Sequence, residues 1–595
     1  MSGTERPRTR RLALAWLWAA AACHGLWAAG AAPQREEYTR NFQKSVTLAA
    51  GQGVRLEHSN GDIVVRTHGS SELRIDASIR VSAASAADAA AFGNEIRIQV
   101  EPTATAIWIR TSYPESRRDS FLGLGRRNIS YSVNYEIALP QAAPLQIRNR
   151  FGNVSVSNTK GGVDITNAHG LLTLRDGQGG ARLENSFGGV EVSQNLGDVS
   201  VTNGNNFVTV TDVKGSLNVR NRFGNVKAVR ISKPAVIDNG NGTVELSIAA
   251  GPSRIHNSFG AVTAADVTGD LTVTSNNGAV EARNVTGAAE LSTSFSSITA
   301  NDVGRKLTVS GNNNRVTALK IGESATVNNT FGAVELGNVG GDVDVANRNG
   351  KVVVRDIRGA AVLRTSFGDI DASGISGNAT VIDNNGAVLV RDVGGAADIR
   401  NSFGRIEAGS VRRGLKAISG NSNVTVSDIT GDVYVKTSFG LAKAERIGGS
   451  LTAENNNGGV RAAGVKGFAS VRATFAPVIL DNIGGGVDVD NQNGLVELAG
   501  LAGRSTGSRA CNNITVKTSF GPIRVYLPQD TGYAVSARTS FGRINSEHPL
   551  TMDGPLAGSG SSASITGKIG GGECELRLTN GNGNIDILKG RPKPK

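Results

Sequence analysis

From Leu145 onward, apolar residues return to the same columns every 18 residues, and polar residues stand between them. With the glycine of each recurrent turn as position zero, Val190, Val208, Val226, Val244, Val262 and Val280 lie two residues after it. Val192, Val210, Ala228, Leu246, Ala264 and Ala282 lie four after. Five and seven before zero, pairs such as Val345 and Val343 or Val435 and Val433 repeat the alternation, and a fifth apolar column runs through Val267, Val285, Val303, Ile321, Val339 and Ile357, seven after. Residues between them, such as Glu281, Arg283, Asp344 and Arg355, are polar. Period two over runs this short predicts two short strands per unit, each with one dry and one wet face, and excludes a helical repeat. A second glycine column nine after zero, at Gly341, Gly359, Gly377 and Gly395, marks the other turn of the coil.

The residue before zero alternates. It is Phe at Phe151, Phe187, Phe223, Phe259, Phe295, Phe331, Phe367, Phe403, Phe439 and Phe475, a step of 36 residues. Midway stand His169, Asn205, Asn241, Asn277, Asn313, Asn349, Asn385, Asn421, Asn457 and Asn493. Twenty units fit without insertion or deletion. A unit this small cannot bury its own apolar face and must stack on its neighbours. The pattern therefore predicts an all-β parallel β-solenoid, or β-helix, of about twenty 18-residue coils in 36-residue double repeats, with caps at both ends. In this turn ladder Asn is expected to supply the left-handed backbone and Phe a large apolar plug for the end of the tube core. The Phe rings would stand about 9.6 Å apart, two strand spacings. Three before zero, Asn149, Asn167, Asn185, Asn203, Asn221, Asn239 and Asn257 form a column expected to be structural, with amides bonded along the tube.

Outside the regular section the chain divides into a signal peptide (1–31), an N-terminal cap with irregular coils (32–144), the solenoid (145–503), C-terminal coils and cap (504–588) and a basic tail (589–595). "EHSNGDIVVRTHG" (57–69) already reads as a coil, "SAASAADAAAFGNE" (82–95) as a short helix, "SVNYEIALP" as a strand, and 554–572 as a Gly/Ser-rich loop. The start, "RPRTRR" followed by an apolar stretch and Ala29-Gly30-Ala31, reads as export, with a periplasmic, outer-envelope or extracellular destination. A lipid anchor at Cys23 is disfavoured because Ala20 stands where Leu is usual. No later stretch is long and apolar enough for a membrane helix. Cys511 and Cys574 are left after cleavage, either as a disulfide or as two buried thiols.

The repeated "SFG-x-(V/I)" and "NNG-x-V" turns, "HSNGDIVVRTHG", "VNYEIALPQAAPLQIRNRFGNVSVSN" and the closing "TNGNGNIDIL" resemble the bacterial putative-adhesin β-strand-repeat family, over roughly residues 45 to 588. The resemblance implies a secreted or envelope-associated β-solenoid.

A net charge of +12 with only 19% charged residues and no long basic run inside the chain argues against nucleic acid as partner. The six histidines, at 24, 58, 68, 169, 256 and 548, have no metal spacing, the turns lack the calcium nonapeptide, and no catalytic residue or cofactor is assigned. The expected function is a non-enzymatic adhesin-like or envelope scaffold presenting a long repetitive surface. The alternatives are a β-helix carbohydrate-active enzyme, for which pairs such as Asp369 and Asp371 are weak candidates without groove-forming loops, and an anionic-polysaccharide-binding protein. Four before zero, the Phe coils carry Arg148, Arg220, His256, Arg364, Arg400, Lys436 and Arg472, with Glu184, Ser292 and Asn328 as exceptions. This broken basic stripe could follow an anionic glycan, although a solvated face is the stronger reading. Sugar stacking is poorly supported, because twelve of 17 Phe residues are assigned to the turns and Phe207 and Tyr434 stand isolated. Self-association through a solenoid end or flat face is a third possibility.

Overall fold

The computed structural model describes residues 35–114, 129–504, 510–553 and 562–591, so the expected signal peptide, Cys23 and most of the basic tail lie outside the described residues. From Leu145 to Ala499 the chain winds twenty coils of a parallel β-solenoid. Each coil gives one strand to each of two facing sheets, as Leu217–Phe223 and Val226–Ile231 do. Strands pair in register with the strand 18 residues on: Val190 with Val208, Val208 with Val226, Val226 with Val244. The inward residues, among them Val208, Val219, Val262 and Leu363, are essentially fully buried and form one continuous core along the tube.

The column seven after zero breaks strand parity, and the backbone shows how. Six after zero the chain enters the left-handed region at non-glycine residues, with φ of 57° at Asp212, 56° at Asp266, 57° at Asp356 and 58° at Asp428. That corner swings the next residue inward, so positions four and seven both face the core. Asp and Asn tolerate this region best, which accounts for their frequency in the column. At the Asn-Gly and Phe-Gly turns it is the glycine that has positive φ, 123° at Gly242 and 116° at Gly260, and not the preceding Asn. Glycine is needed there for a second reason: a Cβ on Gly242 would lie 2.2 Å from the Gly224 carbonyl oxygen of the coil below.

Both ends of the solenoid are built out of sequence order. The coil Gly53–His68 lies between Leu145–Ser157 on one side and the pair Ala106–Ser112 and Ser130–Pro140 on the other. At the far end the last coil, Cys574–Lys589, is inserted between Ile514–Leu527 and Tyr533–Ser546. Beyond these, antiparallel strands finish each edge. Glu72–Ala83 pairs with Ser130–Pro140 and carries Glu36–Thr47, with the helix Ala86–Glu95 packed against both, while Ala563–Ile569 closes on Tyr533–Phe541. Residues 563–569, expected to be loop, are thus a capping strand that occupies the last exposed row of hydrogen-bonding groups. Cys511 and Cys574 are joined in a disulfide, Cα to Cα 5.1 Å, which ties the inserted coil to the segment that leads into its neighbour. No helix among the described residues is long and apolar enough to cross a membrane.

Candidate functional surface

The column three before zero carries out the closing role expected of Phe. Asn167, Asn239, Asn257, Asn347 and Asn491 are buried, at the end of the inward row. Their amides donate chiefly to the turn carbonyl of the preceding coil: Asn257 to Gly242, Asn347 to Gly332 and Asn401 to Gly386, at 3.1, 2.9 and 2.7 Å. Amide-to-amide bonds along the tube, as between Asn221 and Asn239, are the lesser pattern. Where the column holds another residue its chemistry changes. Burial lowers the His58 pKa to about 4 beside Thr111 and Tyr135, and raises that of Asp383 to about 6.

The Phe residues of the turns are displaced outward by this arrangement. Phe187, Phe223, Phe259, Phe331, Phe367, Phe403 and Phe439 are exposed, and the twelve Phe turns range from 41% at Phe151 to 65% at Phe367. The expectation of a buried Phe plug is therefore corrected: the turn begins one residue after the buried Asn, and the core ends there. Phe and Asn do alternate in register as expected, Phe223 on Asn241, Asn241 on Phe259 and Phe259 on Asn277. Asn349 pairs with Phe331 and Asn493 with Phe520, while Asn385 donates its amide to Ser366 in the coil below. Asn457 donates its backbone N–H to Ser438. In the first coils a ring takes the place of Asn: His169 stacks between Phe151 and Phe187, with centroids 4.7 and 4.9 Å away and planes within 8°. These rings lie face to face along the tube and turn their edges to solvent.

The basic stripe lies on the outward face of one sheet, as read from the sequence, but it is largely neutralised. Arg364 pairs with Asp344 at 2.7 Å, Arg400 with Asp398 at 3.0 Å, Lys436 with Glu454 at 2.8 Å and Arg472 with Asp488 at 2.7 Å. The hydrogen bond from Lys436 holds the Glu454 carboxyl below the usual range and raises Lys436 itself. Arg220 faces Asp238 of the next coil, and Arg148 faces Thr166. Exposed pairs of this kind contribute little stability, but they cancel the field that a polyanion would follow. Among the described residues no three His, Cys, Asp or Glu side chains are grouped to hold a metal ion. The concavities over the sheets are open; one of about 730 Å³ runs across Arg55, Gln146, Asp164, Arg182 and Ser200.

Asp and Asn also staple the glycine turns, a role not read from the sequence. Asp270, Asp342 and Asp432 each accept the backbone N–H 18 residues on, from Ala288, Ala360 and Ser450, at 2.7–2.8 Å. The signal was present as recurrent Asp or Asn beside the glycine columns.

No known family's profile matches the chain, and no curated protein matches it. Among solved structures, a putative cell adhesion protein from Clostridium sporogenes is similar over 41% of this chain and 99% of that one, with 11% identity and a TM-score of 0.18. At that TM-score the likeness carries no argument about this chain.

Proposed function

We propose that the protein is an exported, non-enzymatic scaffold of the cell envelope, adhesin-like in that its long repetitive surface is the functional part. The observation that carries this reading is the uninterrupted run of twenty coils between Leu145 and Ala499, in which each outward column repeats the same chemistry. Carbohydrate-active β-helices build a groove from long loops leaving particular coils. In this run the coils meet through tight glycine turns instead, so the surface suits presentation and spacing better than enclosure of a substrate. The ion pairs along Arg364, Arg400, Lys436 and Arg472 weaken the case for an anionic glycan as the principal partner.

The test is fractionation of native cells carrying a C-terminally tagged chain, with intact mass of the recovered protein and attachment of cells with and without it to defined surfaces. Recovery in the envelope or medium, shortened by the N-terminal 31 residues and accompanied by loss of attachment in its absence, supports the reading. Added lipid mass would make Cys23 the new N-terminus. A full-length chain in the cytoplasm overturns it.

A further inference from the structure

The Phe turns form a comb along one edge of the solenoid. Successive teeth are about 9.6 Å apart, two strand spacings. The gap between Phe151 and Phe187 shows what such a slot holds: the ring of His169, at 4.7 and 4.9 Å from its neighbours. In the later slots the middle residue is Asn241, Asn277, Asn385 or another Asn, whose short side chain leaves the outer half of the slot without a ring. We propose that this edge is a self-association surface, on which the Phe comb of a second copy of the chain interdigitates, each ring entering an Asn slot of its partner.

Three observations favour a second copy over another occupant. The partner must repeat every two coils over the whole run, and the chain's own edge has that repeat by identity. The twelve Phe rings are exposed by half or more in most cases. With a Phe side chain covering about 150–250 Å², ten half-exposed rings offer roughly 1,000 Å² per partner, above the about 800 Å² of a standard interface. The edge is also poor in charge: beside the rings stand Ser258, Thr330, Ser366, Ser402 and Ser438, so two identical edges meet without the repulsion that a chain of net charge +12 would otherwise bring. Rings presented edge-on are less suited to stacking on sugars, which need ring faces.

The symmetry follows. A two-fold axis along the tube would set ring against ring. A two-fold axis perpendicular to the tube runs the rows antiparallel and allows an offset of one coil, so the contact is isologous and closes as a dimer.

The experiment is sedimentation of the mature full-length chain across nanomolar to micromolar concentrations, at low and high salt, with three proteins. The parent should be dimeric with little salt dependence. A Phe367→Ser, Phe403→Ser, Phe439→Ser variant should retain the parent's circular dichroism and melting temperature but dissociate about tenfold or more readily. The deciding variant fills slots: Asn385→Phe, Asn421→Phe and Asn457→Phe together should also weaken the dimer, because the partner's rings no longer enter. Stronger association of this variant would mean unspecific stickiness and overturn the proposal. A parent that stays monomeric at micromolar concentration overturns it as well. If the monomer is instead retained on an uncharged polysaccharide gel, and released by the Phe→Ser changes, the comb is a glycan surface.

Discussion

Asn257 donates its buried side-chain amide to the carbonyl oxygen of Gly242, in the turn of the coil below, at 3.1 Å, and to Gly260 of its own turn at 2.8 Å. One side chain thus satisfies two carbonyls that face inward at the end of the core. Loss of a partner to buried polar groups costs roughly 1–3 kcal/mol. Asn257→Ala is expected to lower unfolding stability in that range, as read by urea denaturation, while Phe367→Ala, at an exposed tooth, changes it by less than about 1 kcal/mol. The reverse order would return Phe to the core.

Asp383 occupies the same column without an amide to donate. Neither of its carboxylate oxygens makes a well-formed hydrogen bond, and the nearby amides of Asn384, Gly386 and Asn385 offset only part of the cost of burial. With its pKa raised to about 6, the protonated acid is favoured in the folded state. The stability this contributes is full below about pH 4 and is lost as pH rises through 6. Asp383→Asn should therefore stabilise the protein by about 2 kcal/mol at pH 7.5 and by almost nothing at pH 4. Urea curves at the two pH values check this.

His58 has the opposite sign. Its pKa is lowered to about 4, so its contribution is present above the ordinary value of 6.5 and is lost as pH falls through 4. Acid should loosen the N-terminal coils before the central ones, visible as hydrogen exchange in Gly53–His68, and His58→Asn should reduce that sensitivity.

The Cys511–Cys574 disulfide closes a loop with a sequence separation of 63. Closure of this length is worth roughly 4 kcal/mol in the chain-entropy account. Reduction, or Cys574→Ser, is expected to expose the inserted coil Cys574–Lys589 to protease while the coils between Leu145 and Ala499 resist. Mass mapping of the first fragments decides the matter.

Gly242→Ala should be far more damaging than Gly69→Ala. A Cβ at Gly242 meets a backbone carbonyl at 2.2 Å and must adopt φ of 123°, while at Gly69 nothing lies within 4 Å. A loss of about 2 kcal/mol or more in thermal or urea unfolding is expected for the first and less than about 0.5 kcal/mol for the second.

The fold was legible because a solenoid is nearly one-dimensional. Each coil touches only its neighbours, so a strict 18-residue period carries both the strand faces and their register. Val190, Val208 and Val226 are inward for a reason visible in the string itself, and the same holds for the buried Asn column. Which way the Phe turns point depends on where the chain leaves the strand, one residue past Asn257 or Asn347, and periodicity is blind to that. The neutralisation of Arg364 and Arg472 by Asp344 and Asp488 required knowing which outward side chains lie within reach across adjacent coils. The insertion of Gly53–His68 and Cys574–Lys589 between coils that are distant from them in sequence was not legible at all. Parallel pairing energies depend on apolar faces and backbone bonds common to every coil, so sequence pattern can specify that a segment is a coil without specifying its place in the stack. Only the closing of the two ends in three dimensions decided that order.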